Sequence, residues 1–402
     1  MTANETIKST IRIFIHTGEV SGDLQGGLLA SALYRQAEKR QLKNLQVEGV
    51  GGQRMADAGV KIIYNTVKLS SIGLIEALPF LKEGRRAQKR VNQHLFESPP
   101  DLMVLLDYMG PNIAVGKLMR SHRPDLPIVY YIAPQQWVFS TKKDTQNVLD
   151  VSDKLLAIFP EEATYYQQAG ANVRWVGHPL VDILADPISK NEARSDLQIE
   201  PAAQVVTLLP ASRQQELKYI MPRMFEAARL VQQAQPQVTF LIPLSRLDFE
   251  PMVIDAVERY GLNARLIHKA DGQKAIAAAD LVINKSGTVN LEVALMNVPQ
   301  VVTYRLSNLT GFIAKYVVRF TGDYVSPVNL MENQPIVPEL LQWDATPEKI
   351  SAEALALLND PCKREAMLKG YAQMRQAMGE VGVCDRAANE ILDMLPARYA
   401  LH

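Results

Sequence analysis

The segment Asn284-Lys285-Ser286-Gly287-Thr288 carries the residue types of a phosphate cradle: hydroxyls, a glycine and the start of a helix, Val289 to Met296, directly after the apolar run Leu281 to Asn284. Ser286, Thr288 and nearby backbone N–H groups converge at a positive helix end, which suits a diphosphate. Glu292 follows one helical turn after Thr288 and shares its face, so its carboxylate is placed for ribose hydroxyls. The alternative is a surface glutamate that balances its own helix dipole. Arg213 closes Leu208-Leu209-Pro210-Ala211-Ser212-Arg213 after another strand-like run. A guanidinium there offers a fork of donors to phosphate oxygens, although a solvated surface arginine has the same local sequence.

Asp107 follows the apolar run Leu102 to Leu106 and therefore sits at the carboxyl end of a buried strand, where α/β enzymes place catalytic groups. It also fits a residue that merely opens the turn Tyr108 to Asn112. Gly18-Glu19-Val20-Ser21-Gly22-Asp23 lies between the first strand and its helix. Its glycines permit a tight turn, and the helix start presents N–H groups to something polar or anionic. The plain reading is a strand-to-helix turn with Ser21 or Asp23 as cap, and the third glycine of the dinucleotide fingerprint is missing.

Ile72, Leu74, Ile75, Leu78, Phe80 and Leu81 form an apolar stretch, followed at once by Lys82, Arg85, Arg86, Lys89 and Arg90. Apolar insertion beside a basic cluster suits an anionic lipid surface, and an ordinary amphipathic helix interrupted at Pro79 is the alternative. His178, beside Pro179, reads as structural.

Parallel α/β units must position these groups. From Ile11 onward a short apolar run, a small-residue turn and an amphipathic helix recur: Ile11 to His16 with Leu24 to Lys39, Leu102 to Leu106 and Ile128 to Ile132 in the first half, then Val205 to Leu209, Phe240 to Pro243 and Val301 to Tyr304. Val176 to Pro187, with Gly177, Pro179 and Pro187, reads as a connection. Expected are an N-terminal domain over residues 1–182, joined by C-terminal helices from about 365 to 402, and a second domain over residues 183–364. Two doubly wound parallel sheets facing across a cleft would gather the candidate residues at the carboxyl ends of their strands.

A chain of 402 residues exceeds the roughly 250 to 300 at which one core stops growing. Its 43 basic and 43 acidic side chains cancel, which removes a whole-molecule field for nucleic acid. Cys362 and Cys384 form no CxxC pair, as expected of a reduced, intracellular protein. No apolar run reaches the roughly 18 residues that span a bilayer, so membrane contact would be peripheral.

Taken in order, Gly18 to Asp23, Ile72 to Glu76, Val176-Gly177-His178-Pro179-Leu180, Leu208 to Arg213, Ser286-Gly287-Thr288 with Glu292, and Ser326 to Leu330 resemble the lipid-A-disaccharide synthase family, from about Ile11 to Asp393. The resemblance implies a GT-B glycosyltransferase that joins UDP-2,3-diacylglucosamine to 2,3-diacylglucosamine 1-phosphate through a β-1,6 bond with inversion, releasing UDP. It implies Asp107 as general base, Arg213, Ser286, Gly287, Thr288 and Glu292 as the UDP site, and Asn329 beside the donor; Gly18, Glu19, Ser21, Gly22, Asp23 and Asn112 are then expected in acceptor or cleft loops. The family is peripheral on the inner face of the cytoplasmic membrane, and several members form homodimers. No Asp-x-Asp metal motif is present, so neither metal nor cofactor is expected. Tyr-Met-Gly-Pro-Asn after Asp107 departs from the Ala-Pro-Asp-Phe-Asn of many members, which bears on the acceptor. Other readings are a UDP-sugar GT-B enzyme with a different lipid acceptor, a UDP-N-acetylglucosamine epimerase, or a silent nucleotide-sugar-binding protein.

Overall fold

Continuous Val, Leu and Ile runs become strands because burial on both faces leaves no solvated side for alternation. The computed structural model describes residues 10–18, 20–66, 81–134, 142–307 and 324–399. The chain divides into two compact units, Met1–Asp182 with Met378–His402, and Ile183–Ala377. The return to the first unit thus lies later than the expected position near 365.

The first unit is a parallel sheet of β1 (Ile11–His16), β2 (Leu45–Gly51), β3 (Lys61–Asn65), β4 (Leu102–Leu106), β5 (Ile128–Tyr131), β6 (Lys154–Ala157) and β7 (Val173–Trp175), in the order β3-β2-β1-β4-β5-β6-β7. Its helices include α1 (Val20–Lys39), α2 (Gln53–Asp57), α3 (Leu81–Glu97) and α4 (Met109–His122). Phe14, Met103, Leu105, Tyr130 and Tyr166 lie in its core. Helix α1 starts at Val20 rather than Leu24, because the Ser21-Gly22-Asp23 turn is already its first helical turn. Ile132 falls just outside β5, with φ of 57°.

The second unit carries β8 (Val205–Leu209), β9 (Thr239–Pro243), β10 (Ala264–Ile267), β11 (Leu281–Lys285), β12 (Gln300–Tyr304) and β13 (Glu339–Leu341), in the order β10-β9-β8-β11-β12-β13. The helices that matter here are α5 (Gln214–Tyr219), α6 (Val289–Leu295), α7 (Pro327–Glu332), α8 (Pro347–Asn359) and α9 (Pro361–Ala377). Leu197, Val205, Leu241, Ile267, Val282 and Val293 are in its core.

The last helix, α10 (Val383–Leu392), belongs to the first unit. Asp182 accepts hydrogen bonds from the backbone N–H groups of Gly382, Val383 and Cys384 at its start, 2.6 to 3.0 Å long. Arg35 pairs with Asp385 at 2.7 Å and Arg40 with Asp393 at 2.7 Å, which fixes the helix on α1.

Strand order reverses direction beside β1 and β4 in one sheet and beside β8 and β11 in the other. Loops diverge at such a switch point and leave a crevice outside the carboxyl ends of the strands. The segments after these four strands are those that begin at Thr17, Asp107, Pro210 and Ser286.

Candidate functional site

In the first unit Asp107 and Tyr108 follow fully buried β4 with φ of 53° and 28°. Such conformations persist in non-glycine residues only when the surroundings over-determine them. Asp107 N–H donates to the carbonyls of Tyr131 and Ile132 at 3.3 and 3.1 Å. Its carbonyl accepts from Asn112 Nδ2 and from the Tyr130 hydroxyl, both at 2.8 Å. Asn112 is fully buried and also donates to the Leu106 carbonyl at 3.0 Å. With its amide nitrogen donating, Asn112 Oδ1 accepts from His16 Nδ1 at 2.6 Å, which places the His16 proton on Nδ1. Burial pushes the His16 pKa down to about 4, so this ring is neutral at pH 7 and acts as a spacer between β1 and α4. Asn112 thereby fixes the backbone that carries Asp107, while the half-buried carboxylate leaves from a rigid turn.

The turn after β1 meets the same place through Gly18. A Cβ there would fall 2.0 Å from Tyr108 Cε1, so the Tyr108 ring as placed lies against this glycine. Gly22 packs against the Thr17 hydroxyl, and half-buried Ser21 lies in the first turn of α1. Glu19 lies outside the described residues.

Asp23 is not gathered to Asp107. Its carboxylate, 5% exposed, accepts from Gly52 N at 2.7 Å and from Arg54 N and Met55 N, both at 3.1 Å. It supplies from α1 the cap that Gly52 cannot give α2. Asp23→Ala is therefore expected to cost about 2–3 kcal/mol, the loss of a cap together with buried unpaired N–H groups. Urea denaturation measures it. A change below about 0.5 kcal/mol, the ordinary surface range, would remove the structural assignment.

In the second unit Arg213 occupies the N-cap position of α5 without a side-chain cap bond, and Glu216 reaches back from the first turn of that helix. Glu216, 1% exposed, accepts from Ser212 N at 2.6 Å and Arg213 N at 3.0 Å through Oε2. Its Oε1 lies 3.5 Å from Arg213 Nη1 and 3.5 Å from Lys285 Nζ. One buried carboxylate thus ties the loop after β8 to the end of β11. Glu216 and Lys285 are not singled out in the sequence. The signal that could find the first is a glutamate at the third helical position after the strand-ending loop, from which a carboxylate reaches back to the N-cap N–H.

Past Lys285 the polypeptide turns through Ser286, Gly287 and Thr288. Ser286 N–H donates to the Thr303 carbonyl at 3.1 Å and its hydroxyl to the Val325 carbonyl at 3.3 Å. Gly287 N–H donates to Asn290 Oδ1 at 2.9 Å. The N–H groups of Ser286 and Gly287, expected to meet an anion, are engaged within the fold. Glu292 is half-buried on the first turn of α6.

Asn329, fully buried, donates to the Val337 carbonyl at 3.0 Å and to Glu339 Oε2 at 3.2 Å, and its Oδ1 accepts from Val337 N at 2.9 Å. Glu339 Oε1 in turn accepts from Val325 N and Ser326 N, and burial raises the carboxyl pKa. Asn329 therefore holds the segment around α7 together.

His178 is buried, its Nδ1 accepts from Leu180 N at 3.2 Å, and burial drives its pKa down to about 3, in keeping with a structural role. Ile72, Leu74, Ile75, Leu78 and Phe80 lie outside the described residues, as does the Leu81 side chain. On α3, Arg85, Arg86, Lys89 and Arg90 are exposed while Ala87, Val91 and Leu95 are buried, an amphipathic helix with one basic solvent face. Among the described residues no helix is long and apolar enough to cross a membrane, and no acidic, histidine or cysteine cluster could hold a metal ion.

Two parallel α/β units with polar loops at both switch points have the GT-B architecture. The S. aureus MnaA–UDP co-structure matches with a TM-score of 0.65 at 15% identity over 96% of this chain and 98% of that one. MurG of Acinetobacter baumannii matches with a TM-score of 0.55 at 16% identity over 96% and 99%. These likenesses define the fold class. A family model, LpxB, described as lipid-A-disaccharide synthetase, matches residues 13–391. A lipid-A-disaccharide synthase from Gloeothece citriformis is 51% identical over 386 residues, 95% of this chain and 100% of that one. The chain belongs to the lipid-A-disaccharide synthase family and is a glycosyltransferase.

Proposed function

We propose that the chain transfers 2,3-diacylglucosamine from UDP to 2,3-diacylglucosamine 1-phosphate with inversion, forming the β-1,6 disaccharide 1-phosphate and UDP. Family membership across residues 13–391 carries this reading. In it Asp107 takes the proton of the acceptor hydroxyl as that oxygen attacks the anomeric carbon, and the bond from that carbon to the diphosphate breaks on the opposite face. A single base suffices for direct displacement. The charge that grows on departing UDP is met by Arg213, whose forked donors match phosphate oxygens. Thr288 and Glu292 complete the nucleotide site, and Ser286, Gly287 and Asn329 shape it.

Asn112, Tyr130 and His16 are positioning residues in this scheme, since the first two hold the Asp107 backbone and His16 holds Asn112. Gly18, Ser21 and Gly22 border the acceptor, and Asp23 supports them from below. The exposed basic face of α3, with the apolar residues Ile72 to Leu81 before it, favours peripheral contact with anionic membrane lipid, where acylated substrates reside.

Incubation of purified protein with both substrates in detergent is expected to give disaccharide 1-phosphate and UDP in equal amounts by mass spectrometry. UDP binding without disaccharide would reject the acceptor and favour a UDP-sugar enzyme acting on another lipid.

A further inference from the structure

Lys285 ends β11 directly below the Ser286-Gly287-Thr288 turn. It is 8% exposed, and among the described residues its only partner is Glu216 Oε1, at 3.5 Å. An ammonium has three protons to place, and one long contact leaves it poorly compensated for its burial. The ammonium lies close under the turn: a Cβ at Gly287, whose φ is 151°, would fall 3.2 Å from Lys285 Nζ. The glycine keeps open the space through which the ammonium faces the turn. Burial depresses the Lys285 pKa, Glu216 draws it back up, and Arg213 lowers it again, the pattern of a cation short of negative charge.

The donors an anion would otherwise use in this turn are engaged internally: Ser286 N on Thr303, Ser286 Oγ on Val325 and Gly287 N on Asn290. Arg213 from the loop after β8 and Lys285 from the end of β11 reach the same Glu216 oxygen, each at 3.5 Å. We infer that Lys285 is a second diphosphate-binding cation of the donor site, set beside Arg213 by their shared carboxylate. The ligand class is a nucleoside diphosphate or its sugar ester, and the inference rests on the donor-site reading above. Arg213 offers a planar fork, while Lys285 offers a point charge from beneath.

Titration calorimetry of the full chain with UDP, UMP and uridine tests this. Wild type should bind UDP more tightly than UMP, and UMP more tightly than uridine. Lys285→Met should lose about 10- to 100-fold of UDP affinity, the range of a charge-assisted hydrogen bond, with uridine affinity within about twofold. Lys285→Arg should regain most of the difference. A purely structural lysine would not restrict the loss to the diphosphate. Lys285→Gln, polar and of similar length, gives the same comparison should methionine disturb the buried site. An unchanged ratio of UDP to UMP affinity in Lys285→Met and Lys285→Gln would overturn the inference and leave the donor site standing. A wild type that binds UDP no better than uridine would overturn the donor-site reading, and the inference with it.

Discussion

Asp107→Asn is expected to lower kcat by about 1,000-fold, within the range for loss of a general base, while UDP affinity stays within about twofold. The substitution keeps shape and removes the proton acceptor. It also keeps the backbone, because asparagine tolerates positive φ and the Asp107 carbonyl remains held by Asn112 and Tyr130 at 2.8 Å. Alanine is the less informative change, since it adds strain at φ of 53° to the chemical loss. UDP affinity should persist because Arg213 and Thr288 belong to the other unit. Steady-state turnover together with UDP titration separates the two effects. A loss below tenfold would return Asp107 to the role of a turn residue and place the base elsewhere.

Much of the sheet is legible in the sequence because its strands are buried on both faces. Ile11–His16, Leu102–Leu106 and Val205–Leu209 are read at their structural bounds, since each is an apolar run ended by a polar or turn-forming residue. Short strands such as Val173–Trp175 and Glu339–Leu341 give no such signal: three residues with charged or half-exposed side chains do not define a period. Helix α1 is read late because hydrophobic periodicity starts at Leu24, whereas its first turn is built from small polar residues.

The site is legible to a different depth. Residue type and position after a strand single out Asp107, Arg213 and the Ser286 turn, because parallel topology sends every such loop to one edge. Spacing cannot tell which polar group faces a ligand and which is tied into the fold. Asp23 and Asn329 carry attractive chemistry in the sequence, yet Asp23 caps α2 and Asn329 binds Val337 and Glu339. Glu216 and Lys285 are the reverse case. They are far apart in sequence and meet only because β8 and β11 are neighbours.

That meeting makes Glu216 a sensitive position of the second unit, and Glu216→Ala is expected to lower its stability by about 3–5 kcal/mol, the cost of leaving buried cations without their partner. One further loss acts in the same direction, beside the charge that Arg213 and Lys285 lose. Ser212 N and Arg213 N lose a common acceptor. Glu216→Gln keeps an oxygen for the N–H groups and replaces the charged Oε1 by a neutral NH2 group, so its loss should be about half as large, the N–H acceptor being worth about 1–3 kcal/mol. Scanning calorimetry of both variants, with the transition of the second unit followed, gives the comparison. Equal losses for alanine and glutamine would mean that charge alone stabilises this corner, and the hydrogen bonds to the Arg213 loop would then not be what holds it. A glutamine loss near half the alanine loss would show both bonds acting, so that the carboxylate that supports the fold also sets the two cations beside each other.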